Sequence, residues 1–452
     1  MQSERVRVRL GECVELLTGF PFKSASYSSD ASNVRLLRGD NVAQGVLRWD
    51  DAKRWPNDQL TNLSEYALQA DDIVLAMDRP WIAAGLKFAH IRQADLPCYL
   101  VQRVARLRAR EVVDARFLRY VIGSQAFTEY ILSIETGTAV PHISSKQIAG
   151  FEFDLPPKGE QERIGLLLGM LDDRIDMLHQ TNATLESIAQ ALFKSWFIDF
   201  DPVRAKAEGR ELEGMDAETA SLLPDSFENS ALGEIPKGWR ASTLEGLTAV
   251  GRGLIQTGPF GSQLHASDYS DEGVPVVMPQ DLEGRRVSTA RIARVSDKHI
   301  ERLSRHKLRT GDIVFSRRGD VGRHASITPA EAGWLCGTGC LLVRPGEKWP
   351  SPTYVSFALA TETASDWLHR HAVGATMPNL NTAILGALPI LLPPEPTLLA
   401  FEKIAGPLEK RISENLTLLR TLMSIRDALL PRLVSGKLRL PESEAQLNEA
   451  LA

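Results

Sequence analysis

Cysteine is scarce in this chain of 452 residues: there are four, Cys13, Cys98, Cys336 and Cys340. That is too few for a disulfide scaffold and fits a reducing cytosol, so a cytoplasmic protein is expected. Apolar runs of the ~18 residues a membrane span needs are missing, and no membrane partner is expected. The first nine residues alternate charge with valine, unlike a signal or transit peptide. Neither sign of charge dominates: 52 Lys+Arg stand against 57 Asp+Glu, net −5. At face value that argues mildly against a nucleic-acid partner. Catalytic signatures are also missing. There is no G-x-x-x-x-G-K-[ST] phosphate loop, and Gly251-Arg252-Gly253 is a lone fragment, not a dinucleotide fingerprint. Leu155-Pro156-Pro157-Lys158 and Leu392-Pro393-Pro394-Glu395 lack the Asp or Asn, and the aromatic, that amino-methyltransferases use to hold a flipped base. Cys336-x-x-x-Cys340 with His369-x-His371 fits no strong zinc spacing, so no metal site is expected.

What is present is a long internal repeat. Shifted by 237 residues, Gly137-Thr138-Ala139-Val140-Pro141-His142-Ile143 falls on Gly374-Ala375-Thr376-Met377-Pro378-Asn379-Leu380. Pro156-Pro157 falls on Pro393-Pro394, and Arg174-Ile175 on Arg411-Ile412. Earlier in each half the shift drifts, and Asp72-Ile73-Val74-Leu75 matches Asp312-Ile313-Val314-Phe315 at 240. Ordered matches along both halves mean duplication. Short β-type runs (residues 73–76, 313–316, 340–343) alternate with helical stretches (114–133, 354–371). The expected class is therefore α+β.

After each Pro-Pro a heptad helix is expected. The first seam is Ile164, Leu168, Leu171, Ile175, Leu178, Asn182, Leu185, Ala189, Leu192 and Trp196. The second is Phe401, Ala405, Leu408, Ile412, Asn415, Leu419, Leu422, Arg426, Leu429 and Leu433. Steps of four and three alternate throughout, the coiled-coil rule. Each helix should run about 35 residues, roughly 50 Å. Pairing them antiparallel with Asn182 opposite Asn415 brings Trp196 to Phe401 and Ile164 to Leu433. A buried asparagine pair favours one register, because a slip strands an amide. The expected division is a module at 1–157, a spacer helix at 158–200, an acidic irregular connector at 201–238, a second module at 239–394, a second helix at 395–440 and a tail at 441–452. The modules would lie at opposite ends of an antiparallel coiled coil, related by a pseudo-twofold axis.

Splitting the charge changes the first impression. Residues 1–150 carry net +2, residues 151–240 net −9, residues 241–392 net +2, and the remainder is neutral. Within the second module, residues 285–323 hold 12 basic and 4 acidic side chains. Arginine dominates there, and its planar fork suits phosphates and guanine edges. Two basic modules on a rigid spacer point to double-stranded DNA. Candidate contacts are Arg285, Arg286, Arg317, Arg318 and Arg323, with Gln280 and Asn379 suited to adenine edges. In the first module Arg38, Asn41, Arg79 and Lys87 occupy comparable places.

The sequence resembles the specificity subunit of a type I restriction–modification system over nearly its whole length. The residues that carry the resemblance are Leu192-Phe193-Lys194-Ser195-Trp196-Phe197-Ile198-Asp199-Phe200-Asp201-Pro202-Val203, Leu232-Gly233-Glu234-Ile235-Pro236-Lys237-Gly238-Trp239, and the stretch from Gly311-Asp312-Ile313-Val314 to Gly322-Arg323. Glu160-Gln161-Glu162-Arg163-Ile164 and Leu430-Pro431-Arg432-Leu433-Val434-Ser435-Gly436-Lys437-Leu438 add to it. Two departures stand out. Met77-Asp78-Arg79-Pro80 replaces Ser316-Arg317-Arg318-Gly319, and Glu395-Pro396 replaces the Glu-Gln pair. The resemblance implies two target recognition domains, each reading half of a bipartite site, with the coil as ruler. It implies two modification subunits carrying S-adenosylmethionine for adenine methylation, and motor–nuclease subunits using ATP and Mg. No cofactor would sit on this chain. The rival readings are a stand-alone DNA methyltransferase or nuclease, and a coiled-coil scaffold without a DNA role.

Overall fold

The computed structural model describes residues 5–134, 141–210, 214–374 and 376–438. Residues 137–140 and 375 of the repeat, residues 211–213 of the connector and the expected tail at 441–452 lie outside them. The chain divides into two compact units, residues 1–177 with 419–452, and Leu178–Leu418.

In the first unit a five-stranded sheet runs in the order Val14–Thr18, Val104–Ala109, Ile73–Ala76, Phe88–His90, Gln44–Gly45. Beside it Cys98–Leu100 pairs parallel with Val34–Leu37, which pairs antiparallel with Arg54–Trp55. The second unit repeats the scheme: Leu254–Thr257, Cys340–Arg344, Ile313–Ser316, His324–Ser326 form one sheet. In the other, Val274–Val277 lies between the parallel Leu335–Cys336 and the antiparallel Ala293–Val295. Central strands are covered on both faces, which is why Ile73-Val74-Leu75-Ala76 reads as an unbroken apolar run instead of alternating. Each module is closed by an antiparallel pair of its first strand with the strand before Pro-Pro: Val6–Arg9 with Glu152–Leu155, and Arg240–Thr243 with Pro389–Leu392.

The Asp-Ile-Val repeat has a structural cause. Asp72 and Asp312 are each only 1% exposed. Asp72 takes a bidentate pair of bonds from Arg108 at 2.7 and 2.7 Å, and Asp312 from Arg344 at 2.7 and 2.6 Å. Each carboxylate also closes its own turn, accepting from the backbone N–H of Gln69 or Arg309 at 2.8 Å. A buried carboxylate is tolerated only with its charge and lone pairs answered.

Two helical expectations are refined. The stretch 114–133 is two helices, Ala115–Ile122 and Gln125–Ile134, because Ser124 Oγ accepts from Phe127 N and starts a new turn. The stretch 354–371 likewise divides into Pro352–Leu359 and Glu362–His371, with Thr361 as the new cap. The connector is not irregular throughout. It holds helices Asp201–Ala207 and Ala217–Ser221 and a hairpin, Phe227–Ser230 with Gly233–Pro236. Pro202 in the first turn and Asp216 as a side-chain cap supply the local start signals.

Both long helices are 40 residues, Lys158–Phe197 and Glu395–Val434. They stop short of the expected 200 and 440. The left-handed Phe200, at φ 55°, follows the first, and the left-handed Gly436, at φ 75°, follows the second. Where the helices meet they run antiparallel. In the second unit Asn415 donates to Asn182 Oδ1 at 2.8 Å, and the rings of Trp196 and Phe401 lie 6.1 Å apart. In the first unit Arg426 reaches Asp172 at 3.1 Å. Among the described residues no helix is long and apolar enough to cross a membrane.

The start of each helix meets its module differently. Asp114 caps the Ala115–Ile122 helix, and its N–H donates to Gln161 Oε1 at 2.7 Å. Gly165 passes so close that a Cβ would meet Asp114 and Phe117 at 3.0 Å. At the matching positions of the second half the cap is Ser351, and Glu402 replaces the glycine and accepts from Ser351 and Thr353. Gln161, buried at 1% exposure, is thus a clasp on Pro156 and Val112, which explains its place in the motif after Pro-Pro.

Asp312→Ala should cost about 3 kcal/mol, since it leaves the partly buried Arg344 unanswered. A drop in the thermal or denaturant midpoint of the purified chain reads it; an unchanged midpoint would refute the structural role.

Candidate nucleic-acid interface

In each module the loop after the central strand is laced to the segment before Pro-Pro. In the second, Gly319 N donates to Pro378 O at 3.0 Å and Leu380 N to Arg317 O at 2.9 Å. Arg318 and Asn379 form an antiparallel bridge. Arg317 N donates to Gly339 O at 2.8 Å, and Gly337 N to Val277 O at 2.9 Å. These bonds gather Gln280, Arg317, Arg318, Arg323 and Asn379 on adjoining loops. Gln280 and Arg318 are exposed, while Arg317, Arg323 and Asn379 are half-buried. Asn379 Oδ1 is buried without a hydrogen-bond partner. Burial pushes the Asp281 carboxyl up, against its own bond from Met278 N–H and the charge of Arg323.

The first module has the same lacing. Arg79 N donates to Pro141 O at 2.7 Å, Ile143 N to Met77 O at 3.0 Å, and Asp78 bridges His142. Strand register keeps the shift of 240 seen at Asp72 and Asp312 through this loop, one residue away from the pairing of Met77–Pro80 with Ser316–Gly319. Asp78 therefore answers Arg318, and Arg79 answers Gly319. Both of the latter have positive φ, 46° and 77°. His142 answers Asn379, and its Nδ1 lies 2.7 Å from Asp78 Oδ1. The loop frame is shared and the chemistry it presents is not. Asp78 and His142 were not among the sequence candidates. The signal was available, because His142 falls on Asn379 in the repeat. Arg79 is exposed beside Lys87, whose ammonium is held below its usual range by burial first and by Arg79 next among the opposing charges. Lys87 N also donates to Pro80 O at 2.7 Å.

Three candidates are corrected. Asn41 is 7% exposed; its Oδ1 accepts from Arg38 N at 3.0 Å and its Nδ2 donates to Arg48 O at 2.9 Å. Its amide is consumed by a turn, and Arg38 pairs with Asp40 at 3.2 Å. Arg285 is buried and Arg286 is half-buried, and both are ion-paired to Glu186 and Glu409 on the long helices. Their charge is neutralised inside the chain, so the +8 segment overstates the charge open to phosphate. The cysteine and histidine pairs do not converge. Cys336 and Cys340 are buried, Cys340 beside Val277 O, whereas His369 and His371 bond back to their own helix. The Cys340 thiol is pushed up by its contact with Cys336 and by burial. Among the described residues no three His, Cys, Asp or Glu side chains gather to hold a metal ion.

The two copies, each with one loop pair on a common frame and one forty-residue helix, define a duplicated protein of the α+β class. The chain belongs to the family described as the type I restriction modification DNA specificity domain, which matches residues 8–187 and 236–421. It is 29% identical over 372 residues to the type I restriction enzyme HindI specificity subunit of Haemophilus influenzae, covering 72% of this chain and 78% of that one. It is 38% identical to the EcoAI specificity subunit of Escherichia coli over 185 residues, which are 40% of this chain and 30% of that subunit's length. The solved S subunit from M. genitalium shares its fold at a TM-score of 0.61, with 15% identity and 96% of each chain covered. The HindI and EcoAI relatives are both specificity subunits of type I restriction enzymes.

Asn41→Ala should lower stability by about 1–2 kcal/mol, because two part-buried backbone groups, Arg38 N–H and Arg48 C=O, lose their partner. Arg318→Ala should stay within about 0.5 kcal/mol of the parent. Parallel denaturant melts separate the two, and equal losses would contradict the division into turn residue and surface residue.

Proposed function

We propose that this chain directs type I restriction and adenine methylation to an asymmetric bipartite site in double-stranded DNA. The observation that carries the proposal is the pair of matched loop frames with unlike side chains, Asp78 and His142 in one module, Arg318 and Asn379 in the other. Unlike chemistry at one place in a duplicated fold suits two half-sites of different sequence. Arg318 offers a fork for guanine or phosphate, and Asn379 an amide for adenine. Asp78 would accept from an exocyclic amine, with His142 holding its orientation. Arg317, Arg323, Arg79 and Lys87 would clamp phosphate around them.

The two helices act as an antiparallel coiled-coil ruler, and their asparagine pair fixes the register. Two modification subunits bind the chain and bring S-adenosylmethionine; motor–nuclease subunits bring ATP and Mg. None of these groups is held here. The assembly works in the cytoplasm.

Co-expression with the cognate modification subunits, followed by mapping of methylated adenines, tests this reading. One asymmetric motif in two parts is expected. Replacing residues 239–394 by those of a relative should change one part alone; change in both, or methyl transfer by the isolated chain, would reject the proposal. In the complex, Arg318→Ala should weaken DNA binding about tenfold and shallow its salt dependence by about one unit of slope. Equal affinity at two salt concentrations would remove Arg318 from the interface.

A further inference from the structure

The hairpin Leu282–Glu283 with Arg286–Val287 turns through Gly284 and Arg285, both at positive φ, 54° and 63°. That is the geometry of a tight hairpin turn in which glycine or asparagine is favoured. An arginine held there strains the backbone. The first module has a hairpin at the matching place, with Val42 bridging Leu47, and Gly45, at φ 79°, stands where the second has Arg285. One copy of the fold thus uses the unstrained residue, and the other keeps an arginine in its place.

The side chain shows what the strain holds in position. Arg285 Cζ lies 3.7 Å from the centre of the Phe357 ring. One terminal nitrogen donates to Glu186 at 2.6 Å and to Glu409 at 2.8 Å; the other donates to Ser356 Oγ at 2.8 Å. Arg286 lies against the same two carboxylates. Glu186 belongs to the first long helix and Glu409 to the second, so one buried guanidinium ties the hairpin to both. Burial pushes the Glu409 carboxyl up, and Arg286 and Arg285 more than reverse it, holding it below the usual range. The first unit meets the same need by another route. Asp172, the repeat position of Glu409, is paired with Arg119 of the module and Arg426 of the other helix. Arg119 lies 4.7 Å over Tyr120, the repeat position of Phe357.

We propose that Arg285 is a positioning residue: it fixes the seat of the second module on the helix pair and thereby sets which distance between half-sites the complex accepts. This rests on the bipartite reading above. One added base pair moves a half-site by about 3.4 Å and turns it by about 35° about the DNA axis, so a module with one seat rejects it. Without the guanidinium, two carboxylates on different helices share Arg286 alone, and the module gains freedom to follow the shifted half-site.

The test is Arg285→Gly, which relieves the turn and removes only the side chain. The parent and variant complexes would methylate a DNA library holding both native half-sites with the spacer shortened or lengthened by one base pair. The ratio of methylation at altered to native spacing should rise about tenfold in the variant, with the half-site sequences unchanged. Glu409→Gln, which keeps the shape and removes one charge, should shift the ratio the same way by less. A folded variant whose methylation falls equally at all spacings would overturn the proposal and leave Arg285 a stabilising residue only. A parent complex indifferent to spacing would instead reject the bipartite reading itself.

Discussion

Acidic residues on the long helices must be answered by arginines before either module can pack against them. Asp172 and Glu409 occupy matching repeat positions, and neither is fully solvated; their side chains are 22% and 15% exposed. A carboxylate leaving water this far needs a paired cation and filled lone pairs. That constraint selects where guanidiniums go, and it draws Arg285 and Arg286 out of the basic surface. It also gives each module a directional attachment, which apolar packing alone, being non-directional, does not.

Duplication preserved the backbone and let side chains exchange roles. The acid in the turn before the central strand is bound by an arginine in both copies, Asp72 with Arg108 and Asp312 with Arg344. The helix junction is solved by Asp114 beside a glycine in one copy and by Ser351 beside a glutamate in the other. The arginine that meets the helix acid comes from a module helix in one copy and from a hairpin tip in the other. At each place the buried carboxylate is still answered by hydrogen-bond donors, which is what burial requires. The loop frames at Asp78 and Arg318 face no such requirement, and there the chemistry differs in sign.

How much was legible in the sequence varies by the range of the interaction. The strands at 73–76 and 313–316, the duplication, the two long helices and the facing asparagines follow from local pattern and period, because helix and strand periodicity are imposed by nearby backbone geometry. The breaks at Ser124 and Thr361 were missed, since a capping hydroxyl inside an apolar pattern is outweighed by its neighbours. The ordered parts of the connector were missed for a similar reason, its acidic composition hiding the caps at Asp216 and Pro202. Composition could count the arginines of 285–323 but not say which would meet a carboxylate 99 or 124 residues away.

By itself, then, the sequence determined a duplicated α+β chain with two heptad helices and mildly basic modules, since these depend on spacing and composition along the chain. Only the tertiary structure decided which charges stay open. It withdrew Asn41, Arg285 and Arg286 from the candidate surface and brought Asp78 and His142 onto it. Residues far apart in number are joined by the fold, and a side chain's free valence is fixed by what lies within 3 Å of it.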